Sequence, residues 1–468
     1  MPHPTTGGLP EPAGGAAVVR EAPVALGPTA ESFPLCLGCH APITEEAFLR
    51  CPRCSWPLCS QQCADAPRHH AECAVLASDT KGVAVPIGCA KTPRYDVILV
   101  LRCLLLQQTD PAAWEKVRLM ESHAERRRQE NEPHTEAAVT YFTKVLDAGW
   151  DEDTVRHVHG AIITNGINTC GAHREALRGL YTTLYLMNHS CRPNVTVRSD
   201  ADGTVYAHAA VPIKKGEPLL FSYLPPSDPL WRRQRDLSSL YYFRCICERC
   251  TDHTELGSYF SSPRCPNCSG GFLEPYEGAG RPWSCPECGH EQSEEEVERE
   301  AEEYVQRVPS EDTSVEAAMD MLNCAANTFH PHHYVWLTTA QKVLHHLQDA
   351  TPRTLSLRRD LWQRIIGLYQ RLEPGATRRK GVSLLKAALV EKEAAQLQMA
   401  AAAADITAPT QAFEEGLNRT VTLLDGAIKI LELEPPASTE LRWLQAAREV
   451  RRQVVDLAAA TGGAGAGQ

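Results

Sequence analysis

The chain has no apolar run of the roughly 20 residues that a bilayer-spanning helix takes, so no membrane partner is expected for its 468 residues. Its start is rich in Gly and Pro and lacks a basic stretch followed by an apolar core, so it does not read as a secretory signal. Without secretion disulfides are not expected, and the 19 cysteines read as metal ligands or buried thiols of an intracellular protein. Positive charge is also short: 47 Lys and Arg against 58 Asp and Glu leave −11. Broad attachment to nucleic acid needs clustered cations against phosphate, so no strong nucleic-acid binding is expected. What is present is ordinary core material. A hydrophobic content of 43% suits a globular chain of several domains.

Fifteen cysteines and one histidine stand at spacings suited to four structural Zn²⁺ ions. The first cluster is Cys36-x2-Cys39, Cys51-x2-Cys54, Cys59-x3-Cys63 and His69-x3-Cys73. Each pair puts two ligands on one tight turn, and two pairs close a tetrahedron, so eight ligands make two sites. His69 is preferred to His70 for its x3 spacing to Cys73. The segment is too short to bury a core, so metal must supply much of its folding free energy. Cys245-x-Cys247-x2-Cys250 offers three ligands and needs a fourth from elsewhere. Cys265-x2-Cys268 with Cys285-x2-Cys288 reads as a zinc ribbon. Cys89, Cys103, Cys170 and Cys324 stand alone and read as ordinary thiols.

Around these clusters the chain changes period. Residues 1 to 20 are Pro, Gly, Thr and Ala and are expected to form a mobile tail. Val18 to Leu26 reads as a short strand with Pro23 at its edge. Residues 95 to 165 read as helical, opening with a buried helix from Tyr95 to Leu105. Residues 180 to 225 read as short strands and turns: Thr204 to Ala209, a solvated turn at Lys214-Lys215-Gly216-Glu217, then Leu219 to Tyr223. From about 294 to 460 the period is 3.6, giving stacked helical hairpins without a strict repeat. His330, His332 and His333 bracket Pro331 and read as a helix-start turn, not a metal site. The Gly/Ala tail from Thr461 is expected to be disordered.

Asn188-His189-Ser190-Cys191-Arg192-Pro193-Asn194 resembles the signature of a SET domain, the fold of many protein lysine methyltransferases. The first cysteine cluster resembles a MYND finger, Phe221-Ser222-Tyr223 the SET tyrosine strand, and Cys245-x-Cys247-x2-Cys250 the post-SET zinc motif. Together these motifs resemble the SET-and-MYND (SMYD) family over roughly residues 14 to 350, and the segment Cys250 to Gly257 with the ribbon after it resembles the arthropod branch. The resemblance implies an α+β multidomain fold. A tail and the first part of a split, β-rich SET domain would occupy 1–35, a MYND finger 36–73 and a helical SET insert 74–164. Core SET and post-SET would occupy 165–250, the ribbon 251–293 and a tetratricopeptide-like helical domain 294–468.

The resemblance also assigns roles. Cys191 becomes the fourth ligand beside Cys245, Cys247 and Cys250. Asn188 and His189 would line a pocket for S-adenosylmethionine, Asn165 would lie near its amino-acid end, and Phe243 against its adenine. Tyr223 would stand where the methyl meets the lysine, and Tyr241 would line the lysine channel. Read alone, Tyr223 is a core tyrosine, Asn165-Gly166 a turn pair, and Tyr241, Tyr242 and Phe243 packing for the third zinc.

Such domains usually begin with a strand and a Gly-x-Gly loop, a dozen residues before the position of Gly14-Gly15. Here that stretch holds Gly7-Gly8 and no Gly-x-Gly. A truncated or alternatively started chain, or weak cofactor affinity, would follow. The expected function is therefore lysine methylation of a histone or another protein in nucleus and cytoplasm. The alternative is a catalytically weak scaffold that recruits partners, with proline-rich peptides at the MYND finger.

Overall fold

A computed structural model describes residues 15–46, 48–79, 95–275, 282–307, 315–347, 349–404 and 411–462. Gly7-Gly8, Gly14, Cys89 and most of the C-terminal tail lie outside the described residues.

The stretch read as one strand from Val18 to Leu26 forms two, Ala17–Glu21 and Ala25–Pro28. Pro23 cannot donate to a ladder, and the break beside it sends the strands into different sheets. Ala17–Glu21 pairs antiparallel with Val205–Ala209, which also pairs with Val195–Ser199. Ala25–Pro28 pairs with Ala176–Leu180, whose other edge takes Ile167–Cys170. The expected tail therefore gives way to ordered strand at Ala17. Glu21 fixes the corner where the two sheets meet: its carboxylate accepts the backbone N–H groups of Thr182, Thr183 and Leu184.

The helix Asp96–Thr109 is apolar almost all round, so it is buried. Ile98, Leu99, Val100, Leu101 and Leu104 place it beneath the strand Ala25–Pro28. Gly27 permits that approach, because a Cβ there would lie 3.1 Å from the Cβ of Leu99. The helix Glu152–Asn165 is opened by Asp151, whose side chain accepts the Thr154 N–H, and ends at Gly166.

The C-terminal third is all helix. Long helices Pro352–Leu372, Arg378–Ala404, Gln411–Leu431 and Leu441–Gly462 stack in sequence. The last runs past Thr461, two residues into the expected tail. The cysteine ribbon shares a core with the first of the C-terminal helices: Trp283, Leu273 and Cys285 pack with Trp231, Phe329 and Trp336. His333 is the N-cap of Tyr334–His346 and accepts the Val335 N–H, as a helix-start turn requires.

The helical region is fastened to the strands by Arg198. Its guanidinium donates to the carbonyls of Ile430 and Ala376, both at 3.0 Å, and lies 3.4 Å from Glu434. Arg378 grips the same buried carboxylate from the other side, at 2.8 and 2.7 Å.

Candidate functional site

Four groups of Cys and His side chains bring their ligand atoms within 4.8 Å of one another. They are Cys36, Cys39, Cys59 and Cys63; Cys51, Cys54, His69 and Cys73; Cys191, Cys245, Cys247 and Cys250; and Cys265, Cys268, Cys285 and Cys288. Sulfurs about 2.3 Å from one tetrahedral Zn²⁺ stand about 3.8 Å apart. The Sγ–Sγ distances fit: 3.6 Å for Cys39–Cys59 and Cys51–Cys73, 3.6 Å for Cys265–Cys288 and Cys268–Cys285. A disulfide needs about 2.05 Å, and no described cysteine is in one. All four groups therefore fit Zn²⁺. In the first segment the pairs interleave, first with third and second with fourth, which pair spacing alone left open. His69 is buried with Nε2 3.9 Å from Cys54, and His70 is exposed.

The third group joins two distant segments. Cys191 Sγ lies 3.5 Å from Cys250 and 4.0 Å from Cys245. His189 extends the junction. Its Nδ1 accepts the Tyr223 N–H at 3.0 Å, so the ring proton sits on Nε2, 3.2 Å from Cys191 Sγ. A thiolate ligand is thereby hydrogen-bonded to the residue that positions the Tyr223 backbone.

Behind the cysteines lies a buried charge cluster. Arg233 donates to Glu255 at 2.8 Å and reaches Cys250 Sγ at 3.7 Å, and Arg249 donates to Glu255 at 3.1 Å. Burial would raise the Glu255 carboxyl, but the two guanidiniums override it and hold it below its ordinary value. Four thiolates around Zn²⁺ carry a net charge of about −2. The two arginines, one neutralised by Glu255, offset part of it.

Five aromatic rings gather beside this junction. Tyr223 stands 5.0 Å from Tyr241 and from Phe221, 5.2 Å from His189 and 6.4 Å from Phe243, ring to ring. Tyr223 donates its hydroxyl to the Met187 carbonyl at 2.8 Å. Burial, with Tyr241 beside it, pushes the Tyr223 phenol up, so it stays protonated near neutral pH. Tyr241 closes the helix Leu230–Leu240 and lines a cleft of about 490 Å³ with Tyr223, Met187, Asn165 and Gly166. The far wall of that cleft is the helical region, through Glu373, Arg378 and Arg379.

Asn188 and His189 form a two-residue strand parallel to Leu220–Phe221, so Tyr223 lies two residues past the strand and not on it. Phe243 is 36% exposed and, like Asn188 and His189, is not among the residues that line that cleft. Asn165 is the last residue of its helix, and its amide nitrogen donates to the carbonyls of Glu121 and Ala161. Gly166 is demanded by close approach: a Cβ there would meet Arg178 Nε at 2.4 Å.

Several participants carry no sequence signal. Arg102, in an apolar helix, is buried and donates to Glu72 at 2.6 Å and to Leu37 O at 2.8 Å, with His40 Nε2 at 2.8 Å. Burial, with the Arg102 guanidinium beside it, lowers His40 to about 3, so that ring is a neutral acceptor. This network docks the cysteine-rich segment onto the helix Asp96–Thr109.

Residues 93–224 match the profile of the SET domain. The chain is 27% identical over 288 residues to the SET domain-containing protein SmydA-8, isoform A, of Drosophila melanogaster, covering 59% of this chain and 60% of that one. It is 30% identical over 215 residues to SET domain and MYND-type zinc finger protein 6 of Schizosaccharomyces pombe, covering 44% and 41%. It is 28% identical over 221 residues to N-lysine methyltransferase SMYD2 of Homo sapiens, covering 44% and 48%. The matched region thus spans about 60% of the first relative and less than half of the other two.

Proposed function

This chain carries a SET domain and is related at modest identity to SET-and-MYND proteins, and from that premise we propose that it transfers a methyl group from S-adenosylmethionine to a lysine amine of a protein. The observation that carries the reading is the aromatic cleft of Tyr223 and Tyr241, hung on the Cys191 group through His189. Four Zn²⁺ ions in the Cys/His groups complete the reading, with the first two shaping an interaction finger of MYND type that takes proline-rich peptides.

When bound, S-adenosylmethionine supplies a methyl on a positively charged sulfur, open to in-line displacement by an amine. Phe243 would hold the cofactor's purine ring and Asn165, Asn188 and His189 its more polar end, Asn165 from the wall of the cleft. The nucleophile must be a neutral amine, aligned and dry. Tyr223 already donates its hydroxyl hydrogen bond to the Met187 carbonyl, so toward the cleft its oxygen acts as an acceptor. An amine N–H donated to that oxygen turns the nitrogen lone pair away from Tyr223. The Tyr241 ring, 5.0 Å away, narrows the space in which the amine can turn. Catalysis on this account is positioning and exclusion of water.

Titration calorimetry of the zinc-loaded chain with S-adenosylmethionine tests the reading. Saturable binding, followed by transfer of tritiated methyl to protein, is expected. An absence of binding removes the enzyme reading and leaves an interaction protein built on the same scaffold.

A further inference from the structure

The cleft in front of Tyr223 and Tyr241 is unevenly charged. Arg178, Arg198, Arg378 and Arg379 line it, against Glu373 and Glu440. Glu434, buried behind Arg198 and Arg378, brings the carboxylates to three. Arg174 adds a further guanidinium 3.8 Å from Glu440. In the lining itself four guanidiniums face two carboxylates, and Asp96 near Arg178 and Asp228 near Arg379 are further carboxylates behind it.

One of these arginines keeps exposed donors to spare. Arg379 uses one nitrogen on both Glu373 (2.9 Å) and Ser227 (3.2 Å), and its side chain is 39% exposed. Its other two nitrogens have no partner among the described residues. Arg178 donates to the Ile163 carbonyl at 3.0 Å, and its unpartnered Nε is buried against Gly166, out of a ligand's reach. It forms no ion pair among the described residues. Arg198 and Arg378, by contrast, are committed to Glu434 and to the carbonyls of the helical region.

The consequence for a lysine substrate has two sides. A positive cleft disfavours an ammonium ion at Tyr223 and so favours the neutral amine that displacement requires. The same field repels a lysine arriving as a cation. A substrate satisfies both only if it brings its own negative charge, placed where Arg379 holds unused N–H groups. We propose that this cleft selects lysines flanked by acidic residues, with a glutamate or aspartate beside the target paired to Arg379. The proposal rests on the methyltransferase reading of the cleft and adds to it the chemical class of the substrate.

The test uses fluorescein-labelled eleven-residue peptides with one central lysine, flanked at the two nearest positions on each side by Glu, Ala or Lys. Anisotropy is measured on the zinc-loaded full chain at low and at high salt. The Glu peptide should bind at least tenfold tighter than the Ala peptide at low salt, and the gap should close at high salt. Arg379→Gln should reduce the preference, and Arg379→Glu should abolish or reverse it in favour of the Lys peptide. Thermal melts report whether either variant is folded; if Arg379→Glu is not, Arg379→Gln decides. Three peptides binding within twofold of one another on the unaltered chain, or a Glu preference that survives in the folded Arg379 variants, would overturn the proposal. Methyl transfer is scored separately on the same peptides. Acidic preference without transfer retires the enzyme reading and keeps the acidic partner, and transfer without preference does the reverse.

Discussion

Replacing Cys191 by serine isolates what the third cysteine group does. Its Sγ lies 3.5 Å from Cys250 and 4.0 Å from Cys245, and serine is a poor fourth ligand for Zn²⁺. The loss should show first as stoichiometry: metal analysis of Cys191→Ser should find three zincs where the unaltered chain holds four. The energetic loss follows from binding. Zn²⁺ leaves its ligands when the chain unfolds, so its binding free energy, on the order of 10 kcal/mol for an intact four-ligand site, stabilises the fold, and losing one ligand forfeits several kcal/mol of it. Urea denaturation should show a loss of that order in residues 188–250. The loss of function should exceed the loss of stability. His189 donates to Cys191 and accepts from the Tyr223 backbone, so the variant also frees the group that positions Tyr223. Two controls separate these effects. Cys39→Ser removes a ligand from a different group and should cost one zinc while leaving S-adenosylmethionine binding within a few fold. Cys170→Ser alters an exposed thiol outside all four groups and should change neither metal content nor stability. Four zincs in Cys191→Ser, or equal damage to cofactor binding in Cys39→Ser, would refute the coupling.

Other substitutions test the surrounding structure. Tyr223→Phe removes the hydroxyl that meets Met187 O; methyl transfer should fall at least a hundredfold while stability, by thermal melt, changes by about 1 kcal/mol. Transfer at full rate would remove Tyr223 from the mechanism. Arg102→Met leaves Glu72 buried without its cation, and urea denaturation should show a loss of about 3–5 kcal/mol. Adding Glu72→Gln should recover part of that loss. Arg198→Met breaks the fastening of the helical region at Ile430 and Ala376, so hydrogen exchange should rise in residues 376–434 before the strands lose protection. Uniform exchange across the chain would show that the two parts open together.

The parts that were legible in the sequence are those whose chemistry is local. Ligand spacing in Cys36 to Cys73 reports knuckle turns because both ligands of a pair lie on one turn. An apolar run from Tyr95 to Leu105 reported the helix Asp96–Thr109 because its stretch Ile98 to Leu104 is buried on every side. Which pairs share a metal is a tertiary fact, and the interleaved arrangement left no mark on the spacing. Arg102 and Arg233 look like surface cations on helices, yet both are buried, because their partners Glu72 and Glu255 arrive from other segments. Pro23 was visible as a strand edge, but not as the point where the chain changes sheets.

Tyr223 shows how the two kinds of information combine. On sequence grounds it was a core tyrosine unless the Asn-His-Ser-Cys motif stood beside it. In the fold it is both. Its ring packs on Phe221 and its hydroxyl is held by Met187 O, which are core properties. Its backbone N–H is held by His189, and through His189 by the Cys191 group, which ties its placement to metal content. A tyrosine fixed at three points cannot swing to follow a ligand. Discrimination at this cleft must therefore come from what surrounds the tyrosines, and the surroundings that differ from an ordinary apolar channel are the charged groups in its wall, of which Arg379 combines exposure with nitrogens that have no partner among the described residues.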